Sequence, residues 1–161
     1  MRQAFGLTLL ELLVVVAIIA IMGAFGGPPV ANWNCKRNGA NEFESLIRLM
    51  SFAKSESLSR GISVGIPAQA SDSTELVLRE TDRSCTSVSG DVLRSEEFNT
   101  SDISGLSSLF CFHPDGSSTG GDVELSKTCR GVERRYKVTV FQATSFMASE
   151  LKIGSGEWQE R

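Results

Sequence analysis

Apolar positions along this chain follow three successive patterns. Over residues 7–25, sixteen of nineteen are apolar, and only Thr8, Glu11 and Gly23 interrupt the run. At about 1.5 Å per residue, a helix of that length covers roughly 30 Å, the thickness of a bilayer core. Further on, Phe43, Leu46, Ile47, Met50, Ala53 and Leu58 recur near the 3.6 period, separated by Glu42, Glu44, Arg48, Lys54 and Glu56. That spacing predicts an amphipathic helix with one buried face, ending at Arg60-Gly61. Beyond it the period shortens to that of strands, expected at 62–66, 75–79, 92–98, 109–113, 122–125, 135–141 and around 146–153. Between the first two patterns, Gly26-Gly27-Pro28-Pro29 is expected to break or kink the helix. The layout is α+β: a long N-terminal helix, kinked near residues 26–29, packed on an antiparallel β-sheet head.

Composition narrows the function. The chain has 161 residues, with 16 Lys+Arg against 19 Asp+Glu, so its charge balance does not suit the whole head to a polyanion. It carries no Walker loop, dinucleotide fingerprint or nucleophile-elbow sequence. No enzyme activity and no cofactor are expected.

The apolar segment is longer than the core of a secretory signal, and Gly23-Ala24-Phe25-Gly26 is a poor small-x-small cleavage site. Arg2 in the short head before it favours an N-in orientation. Glu11 lies inside the run. An ionisable group at membrane depth is costly, so it marks a functional position.

Gly6-Leu7-Thr8-Leu9-Leu10-Glu11-Leu12 followed by the apolar run resembles the class III signal of type IV pilins and type II secretion pseudopilins. The resemblance implies a leader of residues 1–6, cleaved after Gly6 by a prepilin peptidase, and an N-methylated Leu7. It makes Glu11 the assembly glutamate and residues 7–27 a helix that spans the membrane first and enters a filament core later. Residues 28–161 become the periplasmic or extracellular head. Pro28 matches a proline common at the 22nd mature position of that family, while Leu7 departs from its usual Phe or Met. The amine released by cleavage would stand one helical turn from Glu11 and offset its charge. In a filament, the amine of an incoming subunit would pair with it instead.

Two further stretches resemble the GspH/FimT group of minor pilins and pseudopilins. One is Phe43-x-x-Leu46 with Phe52-Ala53-Lys54-Ser55-Glu56-Ser57-Leu58-Ser59-Arg60-Gly61, and the other is the turn Phe112-His113-Pro114-Asp115-Gly116. The partners implied are the prepilin peptidase, the inner-membrane assembly platform, other minor pilins and the major pilin.

The cysteines are Cys35, Cys85, Cys111 and Cys129, with no Cys-x-x-Cys pair and a single histidine, His113. A zinc site lacks the ligand spacing, and no metal is expected. On the far side of the anchor disulfides are permitted, and four cysteines allow three connectivities. The pairing favoured is 111–129, stapling the arms of the Phe112 turn region, which leaves 35–85. His113 reads as a turn residue beside Pro114 rather than a ligand or base.

One local basic cluster stands out: Lys127, Arg130, Arg134, Arg135 and Lys137, with only Glu133 opposing them. Some DNA-binding pilins of the FimT kind carry a Gly-Arg-x-Arg motif near the C-terminus, and this chain contains no Gly-Arg dipeptide. Strand alternation would also place Arg134 and Arg135 on opposite faces.

The expected function is that of a minor pilin of a type IV pilus, at or near the tip, priming assembly. The alternatives are minor pseudopilin H of a type II secretion system and a DNA-binding minor pilin for transformation.

Overall fold

The computed structural model describes residues 8–68, 74–99, 101–106 and 108–160, and their side chains except those of 24–29 and Ser89. The chain divides into two compact units, residues 1–35 and 36–161. Helix α1 runs Leu9–Arg60. Of the break or kink expected at residues 26–29, no break occurs, and Pro28 lies inside α1 rather than at an end. Each proline deletes one helix donor, but helix propagation is cooperative, and long helical stretches on both sides hold the backbone across the gap.

The strands that follow are β1 (Ser63–Ile66), β2 (Glu75–Thr81), β3 (Val88–Glu97), β4 (Asp102–Ser104), β5 (Phe110–Phe112), β6 (Gly121–Cys129), β7 (Val132–Val140), β8 (Met147–Ile153) and β9 (Gln159–Glu160). They form two antiparallel sheets rather than one. The first has the order β3-β2-β1-β5 and the second β4-β6-β7-β8-β9. Together with the helix this is a pilin-like α+β architecture.

All seven expected strands are present. Their bounds differ most at β3, which begins at Val88 rather than at residue 92, and at β6 and β7, which form one long hairpin pairing Gly121 with Val140 through to Cys129 with Val132. Its two-residue turn, Arg130-Gly131, has φ of 51° and 79°, the left-handed pair of a type I′ hairpin turn. The polar run from Ser126 to Arg134 hid this strand pair, because the inward positions of β6 are Val123, Leu125, Lys127 and Cys129, and only the last two fall within the run. The two- and three-residue strands β9 and β4 carry too few residues for a period to show.

The head's core forms where the second part of α1 meets the sheets. Phe43, Leu46, Met50, Ala53 and Ser57 are buried along one helix face, a three-four spacing. Tyr136 of β7 stacks on Phe43, with ring centroids 5.1 Å apart. Leu58, expected in the core, is half exposed, and Ser57 takes the inward position. Ser57 tolerates burial because its hydroxyl donates to the carbonyls of Lys54 and His113. Arg60 closes the helix with Gly61 at φ 67°, whose amide donates to the Ser57 carbonyl, an αL cap.

Candidate functional site

The first turn of α1 is built around Thr8. The Glu11 amide donates to the Thr8 hydroxyl at 3.2 Å and to the Thr8 carbonyl at 3.0 Å. Thr8-Leu9-Leu10-Glu11 is thus a Thr-x-x-Glu capping sequence with the glutamate at the third helical position. There the carboxylate also faces the positive end of the helix dipole. The signal was visible in the sequence as a Thr three residues before a Glu at the head of an apolar run, and the reading of Glu11 as an assembly residue passed over it. Gly6 and Leu7 lie outside the described residues.

Behind this cap the helix is apolar on every side. Leu9, Leu12, Leu13, Val16, Ile19 and Met22 are all exposed, and no single stripe faces a core. A helix of this kind requires an apolar surrounding, whether lipid or protein. Among the described residues no helix is long and apolar enough to cross a membrane. Leu7 and the side chains of residues 24–27, at the two ends of the expected span, fall outside the set described.

The disulfides correct the favoured pairing. Cys85 bonds Cys111, with Cα atoms 6.3 Å apart, so neither 35–85 nor 111–129 is formed. Cys35 and Cys129 are the other two disulfide-bonded cysteines, and none is free. The reason is sheet order: β1 lies between β2 and β5, which brings the loop after β2 next to Cys111 across the short width of β1. That adjacency of strands distant in sequence left no trace in the spacing of the cysteines.

Cys85 sits in a loop organised by one carboxylate. Asp82 accepts from the hydroxyls of Ser84 and Thr86, both at 2.6 Å, and from the amides of Thr86 and Ser87. These bonds, the Ser84 hydroxyl first, hold the Asp82 carboxyl far below the usual carboxylate range. In the same loop Cys85 adopts a φ of 54°.

The five basic residues do not form one face. Lys127 is buried, and its stem packs so closely on Gly39 of α1 that a Cβ there would lie 3.1 Å from Lys127 Cδ. Arg134 pairs in register with Lys127 on the same side of the sheet, while Arg135 and Lys137 point to the other. Arg130 occupies the hairpin turn. Arg135 is ion-paired with Glu133 at 3.0 Å. Lys137 contacts Glu150 at 2.5 Å and lies 4.6 Å from the centre of the Trp158 ring. The hydrogen bond to Glu150 raises the Lys137 ammonium above its ordinary value. Two of the five charges are thereby matched within the sheet, and the dispersed remainder offers no continuous track for phosphates.

At the carboxyl-terminal end of α1, three turns lock together. Lys54 donates to the carbonyls of Thr144 and Ser145 in the β7–β8 turn. The Ser145 hydroxyl donates to the Gly116 carbonyl, and the Ser118 amide to that of Gln142. His113 stands at the centre. Its Nδ1 is 3.4 Å from the hydroxyl of buried Ser63, and its imidazole lines a cleft of about 570 Å³ together with Arg83 and Asp115. Asp115 accepts from the hydroxyl and amide of Ser117, which lower its pKa. His113 is indeed a turn residue: its amide donates to the Ser117 carbonyl and its carbonyl accepts from the Gly116 amide. Among the described residues no group of three or more His, Cys, Asp or Glu side chains gathers as a metal site.

Comparison with known families agrees with this geometry. Residues 42–144 match the model of the type II transport protein GspH, and residues 1–26 match the prokaryotic N-terminal methylation motif. No solved structure matches the chain at a significant level.

Proposed function

This chain belongs to the GspH family of type II transport proteins, and on that footing we propose that it is the minor pseudopilin H of a type II secretion system. It is a structural pilin-like protein, not an enzyme. Its methylation motif implies an inner-membrane-anchored prepilin with a periplasmic head, for which the prepilin peptidase and other pilin-like subunits are partners. The observation that carries the proposal is the union in one chain of that motif, over residues 1–26, with a GspH head over 42–144. The type IV pilus reading favoured by the sequence alone gives way, because the matching family is described by type II transport.

In the proposed sequence of events the peptidase cleaves after Gly6 and methylates Leu7. The apolar helix then leaves the bilayer for a filament core, where Glu11 receives the amine of the next subunit. The all-round apolar surface of residues 9–22 supports both environments. The head is displayed among other minor subunits near the filament tip, where it primes assembly. A chromosomal deletion tests the assignment. Loss of exoprotein secretion with normal piliation, restored by the full chain, is expected. Lost piliation with intact secretion would return the protein to the pilus.

A further inference from the structure

Two adjoining clefts share His113 and Ser117 in their walls and form one trough over the β5–β6 connection. One arm reaches Arg83, and the other, about 400 Å³, reaches Thr119 and Gln142.

Most charges at this end of the head are already committed. Lys54 is held by two carbonyls. Arg60 is paired with Glu56 at 3.6 Å and Glu80 at 2.7 Å. Asp82 accepts four hydrogen bonds and Asp115 two. Arg83 is exposed and has no hydrogen bond or ion pair among the described residues. The carboxylate beside it in sequence, Asp82, is occupied in shaping the loop. Its guanidinium is therefore left to an external anion, for which a two-pronged donor is well suited. His113 lines the same cleft together with Arg83, its Nδ1 3.4 Å from the Ser63 hydroxyl.

Asp115 in the same trough selects among anions. Its negative charge repels a phosphate dianion or a polyanion more than a single carboxylate. The Gln142 amide offers both donors and acceptors, as a peptide backbone requires, and the Thr119 hydroxyl, which accepts from the Cys111 amide, adds a donor.

We propose that this trough receives an acidic side chain carried on a polypeptide segment of a neighbouring pilin-like subunit, with Arg83 as its charge partner. The inference rests on the reading that the chain enters a filament, and it adds the contact surface and the chemistry of the partner.

The test uses the full chain in cells that assemble the secretion filament. A photocrosslinking amino acid is placed at Ala143 in the trough, and at Val88 on the β3 edge as a control. The expected product joins Ala143 to a segment of another pilin-like subunit containing Asp or Glu. Its yield falls about tenfold in Arg83→Glu and returns when the captured acidic residue is changed to Arg. Formation of the Cys85–Cys111 disulfide, checked on the same samples, establishes that the variant folds, and Arg83→Gln serves if Arg83→Glu does not. An Ala143 product no stronger than the Val88 control, a product indifferent to Arg83, or capture of nucleic acid or lipid would overturn the proposal. Recovery of the chain in sheared filaments is scored in parallel. Presence there without the crosslink defeats this inference alone, whereas absence of the wild-type chain from filaments defeats the filament reading as well.

Discussion

Gly65 on β1 lies directly opposite Cys111 on β5, and a Cβ at Gly65 would approach the Cys111 sulfur to 2.8 Å. It would also meet Thr81 Cγ2 at 2.9 Å and the Phe110 carbonyl oxygen at 3.0 Å. The bridge from Cys85 to Cys111 occupies the space a side chain at Gly65 would need. The backbone carbonyl cannot swing aside without disturbing the β1–β5 ladder.

Gly65→Ala is therefore expected to destabilise the head by about 1–3 kcal/mol through overpacking. Denaturant melts of the full chain in detergent would show it as a lower midpoint with an unchanged slope. An unchanged midpoint would mean that the strands have slack at this crossing.

Thr8→Ala removes the hydroxyl that accepts the Glu11 amide. Loss of such a cap costs about 1 kcal/mol, so exchange of the Glu11 amide in micelles should quicken several-fold. Thr8→Ser should retain protection. Equal exchange in all three proteins would deny the cap.

Asp82 links loop order to pH. Its folded pKa is depressed below the ordinary 3.8. Its stabilising contribution is therefore fully present above the unfolded value and is lost as pH falls through the folded one. Wild type should melt above Asp82→Asn at neutral pH, and the gap should close as the pH drops below about 4. A gap constant down to pH 2 would rule out the carboxylate's charge as its source.

Lys54→Met keeps the apolar stem and deletes both bonds to the β7–β8 turn. A cost of about 1–3 kcal/mol is expected for hydrogen bonds from a charged donor. Faster exchange should be confined to the turn, and the Ser145 amide, which donates to the Phe141 carbonyl at 2.8 Å, is its natural reporter. Uniformly faster exchange through β6 and β7 would point to global destabilisation instead.

Glu11→Gln leaves the anchor and most of the capping sequence in place and removes only the charge. If Glu11 receives the amine of an incoming subunit, the variant should be processed normally but recovered at least about tenfold less in filaments, as for loss of a buried ion-pair partner. Incorporation equal to wild type would refute that role.

The order of elements was legible in the sequence because it rests on local periodicity. Residues 43–57 bury every third or fourth position, and β6 and β7 bury every second. The N-terminal motif was legible for the same reason: Gly6, Thr8 and Glu11 lie within six residues, and a carboxylate in an apolar run stands out without a fold around it. The continuity of α1 through Pro28 was not legible. Proline's local cost can be read from one residue, but the cooperative helix on either side is a property of the whole segment.

What only the tertiary structure decided were pairings between residues far apart in the chain. Cys85 meets Cys111 because β1 runs between their strands. Arg83, unremarkable in the sequence, shares a cleft with His113 only once the loop after β2 is brought beside the turn after β5. The basic run from Lys127 to Lys137 looked like one patch in sequence, and a two-residue turn with strand alternation divided it among two faces and a tip. Local pattern determines which element a residue joins. Sheet order determines its neighbours, and it is set by packing among residues that no short window of sequence contains.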